Sequence, residues 1–328
     1  MQEPQTWRDL LGQRIENLQE RQRLAHALQV SPITLMRWVS KESTPRPQLL
    51  QRLLKAWPEE REQLLRLIRE EFKDFPTLSE YEAVVETSLT IPAEFYTRVL
   101  HTLATLSRDL HFWSLCDLIL RQVLLQLDPH RLGMAVIVVR CMPPSDGKMV
   151  RSLREVYGCG TPPWPSTLDN DPMFLGIESL AGYAVSTARL VENQNLGQEA
   201  NRAPGYAGKW EGSAVAAPIM FAGNIAGCLL ISSTQAGYFG ENYYSLIEGY
   251  AELIALAFDR QEFYAPEQIA LGVLPSYEVQ KSSFSGFRQR TIDLMRQASI
   301  NRHPITALEA EQLVWQQLEQ ELLQTPFR

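Results

Sequence analysis

The sequence predicts an α+β multidomain protein, with a small all-helical N-terminal part ahead of a larger part built on an antiparallel sheet. In the first 73 residues, apolar side chains recur every three or four positions, the period of amphipathic helices. Strand-like segments then follow between residues 134 and 234, flanked by long helical patterns. The charge is also uneven, because the net charge of −7 divides into +4 for residues 1–57 and −11 for the rest.

Composition and cysteine spacing limit the class of protein. The 328 residues exceed one average domain, and a content of 45% hydrophobic and 21% charged residues is ordinary for a globular protein. The 4 cysteines are scattered and form no CxxC pair, so we expect neither a disulfide framework nor a thiolate zinc site. No charged segment followed by an apolar one opens the chain, so we expect a cytoplasmic protein with reduced thiols.

Breaks in the patterns divide the chain into four expected parts. We name them the head (residues 1–73), the connector (74–91), the body (92–264) and the C-terminal extension (265–328). The connector is neither rich in glycine and serine nor poor in apolar residues, so we expect a semi-ordered segment. The extension is expected to be helical, and its Thr306-Ala307-Leu308-Glu309 sequence is a capping box. Trp315 and Leu318 are expected to pack on the body or across a dimer.

The head contains two short helices separated by about three residues. The first is expected over residues 21–28, and the second runs from 32 to about 39 behind Ser31, a good N-cap residue. The outward face of the second helix is expected to carry Thr34, Arg37 and Lys41. This arrangement is a helix-turn-helix, in which the start of the second helix reaches base edges in the major groove of DNA.

The same residues resemble a known family of DNA-binding domains. Residues 24–38 (LAHALQVSPITLMRW) are similar to the Cro-like phage-repressor (XRE) helix-turn-helix family, which shows Leu-Ala, a turn, Val-Ser, and then a Thr and an Arg-Trp pair. The resemblance covers roughly residues 8–57. It departs at Gln29, where the family has a turn glycine, and at Glu20-Arg21, where the family has Ser-Gln.

Double-stranded DNA is the expected partner of the head, both because of this resemblance and because the second helix is expected to carry polar and basic side chains on its outward face. Thr34 and Arg37 are expected near bases. Contacts to the phosphate backbone are expected from Arg21, Arg23, Ser31, Lys41 and Arg46. The alternative is that Ser31 serves only as a helix cap and that the basic side chains form a solvated face.

The body alternates helices and strands. A long helical pattern over residues 92–127, with an interruption at Ser107, is followed by strands near 134–141 and 150–157, a helix near 177–187, a strand near 189–192, a hairpin at 213–234 and a helix near 241–263. The uncharged stretch from 213 to 233 is long enough to span a membrane. Pro218 and the Ala222-Gly223-Asn224 turn fit a buried hairpin better, so no membrane association is expected.

This order of elements over about residues 95–262 resembles the GAF family of small-molecule sensors. The resemblance rests on residues 214–221, the Gly223-Asn224 turn and Gly227-Cys228-Leu229-Leu230. The resemblance implies dimerisation through the first and last helices, and an effector pocket between the sheet and the loops of residues 158–212. The effector is unknown, although the missing Asn-Lys-Phe-Asp-Glu signature counts against a cyclic nucleotide.

Six residues of this region are candidates for the ligand pocket, because apolar pockets carry few polar groups. They are Tyr157, Cys159, Trp164, Phe174, Tyr183 and Trp210. The alternative, equally open for each residue, is that these side chains fill an ordinary core or hold the loops in place.

Catalytic motifs are missing from the sequence. There is no GxSxG, P-loop, GxGxxG with a following acidic residue, or HExxH, and the 5 histidines are dispersed. We therefore expect no enzyme, no catalytic residues and no metal. The sequence predicts a sequence-specific transcription regulator, in which a GAF-like domain senses a small molecule, forms a homodimer, or both. The alternative is a protein-interaction or dimerisation platform whose GAF-like domain binds no ligand.

Overall fold

The computed structural model describes residues 6–28, 30–57, 60–73, 75, 89–145, 149–168, 173–196 and 210–325. It divides the chain into two compact units, residues 1–88 and 89–328. The division falls within the predicted connector, most of which lies outside the described residues. The extension and the sheet belong to the same unit.

Helices make up the described part of the first unit. They are α1 (Trp7–Ile15), α2 (Leu18–Leu28), α3 (Pro32–Val39), α4 (Pro47–Ala56) and α5 (Arg61–Glu71). Their shared core contains Trp7, Leu11, Leu28, Leu35 and Leu64, each fully buried. α2 begins three residues earlier than predicted, because Asn17 Oδ1 accepts hydrogen bonds from the first turn of the helix.

α3 has the bounds and the cap that the sequence predicts. Ser31 Oγ accepts a hydrogen bond from the Thr34 amide at 3.2 Å, and Pro32 occupies the first helical position. Leu35 and Trp38 are buried against the core. The opposite side of this helix therefore remains at the surface of the unit.

Arg8 is a buried connection among three helices that the sequence analysis did not identify. Its guanidinium donates to the Glu71 carboxylate at 2.7 Å and to the carbonyls of Trp38 and Ser43. The Trp7 indole also donates to Glu71, at 2.7 Å. The hydrogen bond from Arg8 lowers the pKa of Glu71, although burial opposes that shift. Arg8 thus ties the end of α3 to α1 and α5.

The second unit combines helices with one antiparallel sheet. In chain order the elements are α6 (Ala93–Thr105), α7 (Arg108–Leu127), β1 (Met134–Cys141), β2 (Leu153–Gly160), β3 (Phe174–Leu175), α8 (Leu180–Thr187), β4 (Val191–Asn193), β5 (Ser213–Phe221), β6 (Asn224–Ser233), α9 (Tyr244–Ala255), α10 (Tyr277–Phe284), α11 (Phe287–Ile300) and α12 (Ala307–Gln324). The strand order is β3-β2-β1-β6-β5-β4.

The sheet has two differently covered faces. The face that we call the α7 face packs against α6, α7 and α9, with Val136 and Val138 of β1 in its core. The other, the α8 face, packs against α8, with Val139 of β1 in its core. Directly paired residues on antiparallel strands share a face, so the register assigns each strand residue to one of them.

The predicted hairpin is confirmed. β5 and β6 pair throughout, and the turn has positive φ at Ala222 (50°) and Gly223 (82°). Two consecutive positive φ values are typical of the turn that matches the twist of a two-residue hairpin. Among the described helices, none is long and apolar enough to cross a membrane.

Other elements differ from the predicted pattern. The long helical pattern breaks at Leu106 and Ser107 into α6 and α7, where Ser107 indicated an interruption. β2 continues to Gly160, three residues further than predicted, and α9 ends at Ala255 instead of near 263. β3 and α10 were not predicted. The two residues of β3 are too few to show a strand period.

The C-terminal extension packs on the sheet edge of its own unit. The Gln280 side chain accepts from the Phe174 amide and donates to the Phe174 carbonyl, both at 2.9 Å. Ser152 donates to Glu319 at 2.6 Å, and the Trp315 ring packs against Phe174. The capping box at the start of α12 is also confirmed.

Candidate nucleic-acid interface and ligand-binding faces

The exposed side of α3 carries the residues that the sequence places near DNA. Arg37, Lys41, Ser31 and Arg46 are exposed, and Thr34 is partly buried. The Ser31 and Thr34 hydroxyls lie 2.9 Å apart at the start of the helix. Lys41 follows the helix with a positive φ of 64°, a conformation common after helix C-termini.

The positive charge of Arg37 is only weakly compensated. Its Nε lies 4.0 Å from a Glu42 carboxylate oxygen, and the two side chains are 61% and 65% exposed. Exposed ion pairs of this kind contribute about 0–1 kcal/mol, so an external anion can displace Glu42. Two large apolar side chains, Ile33 and Met36, are also exposed on this helix.

Arg21 and Arg23 differ from the other candidates, because both have partners within the unit. Arg21 Nε donates to the Ile15 carbonyl at 2.7 Å, at the end of α1. Arg23 forms an ion pair with Glu20 at 2.6 Å. The hydrogen bond from Arg23 is the largest cause that lowers the pKa of Glu20 to about 2. Arg21 therefore connects α2 to the end of α1, and the charge of Arg23 is partly compensated by Glu20, which makes Arg23 less available to phosphate.

The side chains of two predicted pocket residues lie on the α7 face of the sheet. Tyr157 pairs with Val138, and Cys159 pairs with Val136, so both side chains belong to the α7 face. The Tyr157 hydroxyl donates to Asp117 of α7 at 2.6 Å, and Cys159 is buried in the core. Tyr157 lines a groove on this face, and the assignment of both residues to a ligand pocket stays a prediction.

The structure does not bring the other candidates together at one place. Phe174 is fully buried against the extension, and Tyr183 on α8 is 54% exposed. The Trp164 and Trp210 rings contact each other edge to face, with centroids 6.1 Å apart. Residues 169–172 and 197–209 of the expected pocket loops lie outside the described part of the chain.

Glu155 is a candidate ligand-binding residue that sequence reasoning missed. It pairs with Val139 and therefore belongs to the α8 face, where the loops were expected to cover a ligand. Burial raises its pKa to about 8, and the nearby Glu211 carboxylate raises it as well. A carboxyl group with this pKa is largely protonated at neutral pH and can donate a hydrogen bond. The sequence signal would have been an acidic residue inside a predicted buried strand.

A groove of about 820 Å³ lies on the surface of α6 and α7. It is lined in part by Arg98, Trp113, Asp117, Arg121 and Tyr157. The Arg121 Nε donates to both carboxylate oxygens of Asp117 at 2.8 Å. The exposed apolar residues of these two helices are Tyr96, Leu100, Leu110, Trp113 and Leu125, which are 43–67% exposed.

The cysteines are all buried. Burial raises the pKa of the Cys116 and Cys228 thiols well above the usual value, and it raises that of Cys141 to about 12. These three thiols are therefore protonated at neutral pH and poor nucleophiles. Within the described residues there is no group of three or more His, Cys, Asp or Glu side chains that could hold a metal ion.

No protein-family model matches the chain, and no curated protein matches its sequence. Solved structures with partial similarity include the type II free methionine-R-sulfoxide reductase of Thermoplasma acidophilum, with 15% identity over 48% of this chain and 98% of that one, and a TM-score of 0.35. A GAF domain of the Acinetobacter phosphoenolpyruvate-protein phosphotransferase shows 14% identity over 50% and 90%, with a TM-score of 0.36. The GAF-B domain of DevS from Mycobacterium smegmatis shows 18% identity over 46% and 92%, with a TM-score of 0.30. These similarities assign no activity and no ligand to this chain.

Proposed function

We propose that this protein is a cytoplasmic transcription regulator whose head binds duplex DNA through α3. The observation that carries the proposal is the exposed side of α3, which presents Thr34 and the weakly paired Arg37 beyond the Ser31 cap. A helix fits the major groove, and a guanidinium there binds guanine through two hydrogen bonds. Lys41 and Arg46, both exposed, supply the charge that attracts the phosphate backbone.

Selection of bound duplexes from a random pool tests this proposal. At moderate salt the full chain is expected to enrich one short motif, because base contacts from α3 distinguish sequences while phosphate contacts do not. If the protein acts as a dimer, the motif should recur in two half-sites about one helical turn apart. A pool without enrichment at any salt concentration that permits binding would contradict the proposal.

The second unit has the regulatory role in this proposal, as a GAF-like sensor. Support comes from the sequence resemblance, from the antiparallel sheet with helices on its faces, and from Glu155 on the α8 face. A protonated Glu155 would donate a hydrogen bond to an acceptor atom of a small effector. The effector would regulate the head only if it binds two arrangements of the protein with different affinity.

The exposed apolar residues of α6 and α7 support a homodimer. Leu125 is 67% exposed, and Trp113 is 51% exposed beside the groove. Both side chains line this groove, and exposed apolar surface around a groove is typical of protein interfaces. This observation also favours the second candidate function, a dimerisation or interaction platform without a ligand. Enriched DNA motifs would favour the regulator, whereas a stable dimer that selects no DNA would favour the platform.

Substituting Leu125 by glutamate tests the dimer. We expect Leu125→Glu to shift the protein from dimer to monomer in native mass spectrometry, because it places a charge within an apolar interface. Leu308→Glu is the matched control, since Leu308 is 66% exposed and lies on α12. An unchanged dimer in the Leu125 variant, or equal dissociation in both variants, would contradict an interface on α7.

A further inference from the structure

Arg154 on β2 has a buried guanidinium nitrogen, Nε, that no hydrogen bond satisfies. Its guanidinium forms no hydrogen bond and no ion pair with any residue in the described ranges, and its Nε is buried. The guanidinium carbon lies 4.2 Å from the centre of the Trp315 ring. An arginine has five N–H donors, and an unmatched buried donor destabilises a fold, so such donors nearly always have acceptors.

A second arginine lies close to Arg154 and adds positive charge beside it. Arg140 lies directly opposite on β1, so two guanidinium groups share the α7 face. Arg140 is compensated, because it forms an ion pair with Glu262 and lies over the Phe112 ring at 5.6 Å. Within the part of the chain that the structure describes, no carboxylate forms an ion pair with Arg154. Burial and the charge of Arg140 lower the pKa of Arg154 to about 10, which leaves it cationic at neutral pH.

The nearest candidate for a protein partner is Glu311, in the first part of α12. It acts on Arg154 through its charge but forms no ion pair with it, and its side chain is exposed. Arg154 and Trp315 are both partly exposed, so a small molecule can reach the edge of the guanidinium from solvent. A guanidinium that stacks on an indole keeps its N–H groups directed outward in one plane.

We propose that Arg154 and Trp315 form a binding site for a small oxyanion, either a carboxylate or a phosphate, at the junction of β2 and α12. Two oxygens of such a group accept from the guanidinium in parallel, which is the strongest pairing available to arginine. The site is on the α7 face and is therefore separate from the α8 face and Glu155. Because Trp315 belongs to the extension, a bound anion would also stabilise its packing against the sheet.

Thermal unfolding of the full chain in different anions tests this proposal. Inorganic phosphate, acetate and chloride are compared at one ionic strength, so that general screening is equal in all three arms. We expect the unfolding temperature to rise by about 5 °C with phosphate or acetate at 100-fold excess over Kd, relative to chloride. A rise with phosphate alone would identify a phosphate site, and a rise with acetate alone would identify a carboxylate site.

Two substitutions at Arg154 and one control give the test its specificity. Arg154→Gln should fold, unfold at the same or a higher temperature in chloride, and lose the anion-dependent rise. Arg154→Lys keeps the charge without the planar fork and should retain less than half of the rise. Arg296→Gln, at an exposed position on α11, should behave as the wild type. Anion titrations followed by tryptophan fluorescence should lose their signal in Trp315→Phe.

Two results would overturn the proposal. The first is a wild type whose unfolding temperature is the same in all three anions, or a rise that Arg154→Gln fully retains. The second is a Glu311→Gln variant that unfolds at a clearly lower temperature than the wild type in chloride, while neither protein is stabilised by phosphate or acetate. That second result would make Glu311 the partner of Arg154 in solution. Neither result depends on whether the head binds DNA.

Discussion

Replacing Arg8 by alanine is expected to destabilise the first unit by about 1–3 kcal/mol, because it removes charge-assisted hydrogen bonds of a buried guanidinium, while its partner Glu71 is 38% exposed and can be hydrated. Arg8 is 4% exposed and joins Glu71 of α5 to the carbonyls of Trp38 and Ser43. Its loss removes one donor from each of these acceptors, although Glu71 still accepts from the Trp7 indole and the Trp38 carbonyl from the Lys41 amide, and it removes the contact of Arg8 with the Trp7 ring. A helical unit of this size has little stability to lose.

Urea unfolding followed by far-ultraviolet circular dichroism would measure the effect. The matched control is Arg14→Ala, because Arg14 is on the same helix and pairs with Glu60 while 51% exposed. Exposed pairs contribute about 0–1 kcal/mol, so the control should unfold nearly as the wild type does. If both variants lose the same small amount of unfolding free energy, Arg8 does not hold the end of α3. Arg8→Ala should also weaken DNA binding, because Arg8 holds the end of α3 in place, although Arg8 is not itself proposed to contact DNA.

Glu155→Gln is expected to remove a pH-dependent loss of stability. Because burial raises the pKa of Glu155 from 4.5 to about 8, the folded protein binds more protons than the unfolded chain between those two values. The Glu155 contribution is therefore fully present below pH 4.5 and is lost as the pH rises towards 8. Each unit of pKa difference corresponds to about 1.4 kcal/mol, so the change across the window is a few kcal/mol.

The difference in free energy of unfolding between wild type and variant reports on Glu155 together with its coupling to Glu211, since carboxyls distant from Glu155 titrate equally in both proteins. We expect Glu155→Gln to gain stability relative to the wild type as the pH rises from 5 to 8. Glu248→Gln, at an exposed position on α9, serves as the control and should show no such trend. A wild type and a Glu155 variant with parallel pH profiles would contradict a buried, protonated Glu155.

Local signals were sufficient to predict much of the fold. The N-cap and proline at Ser31-Pro32, the capping box at Thr306 and the hairpin turn at Gly223 each act within a few residues. These features therefore gave the bounds of α3 and the start of α12, and they located the hairpin. Contacts distant in sequence could not be predicted in this way, as with Arg8 and Glu71, which are 63 residues apart.

The face of the sheet on which each β2 side chain lies was harder to predict, because one irregularity changes the direction of side chains. The register of β1 and β2 shifts between Val138 and Val139, which pair with Tyr157 and Glu155. Strict alternation would place Tyr157 and Glu155 on the same face, but the shift places them on opposite faces. Tyr157 was predicted as a pocket residue from its type and its position next to the loops, and neither property shows on which face of the strand it lies.

The proposed function requires that α3 docks into a DNA duplex. Selection of bound duplexes from a random pool, with the wild type and two arginine variants, tests this directly. The wild type should enrich a motif, and Arg37→Ala should bind the selected duplex about tenfold or more weakly and lose preference at one base position. Arg69→Ala, at an exposed position on α5, should keep the wild-type motif and affinity apart from a small electrostatic loss. If Arg37→Ala selects the same motif with the same affinity as the wild type, α3 does not read DNA.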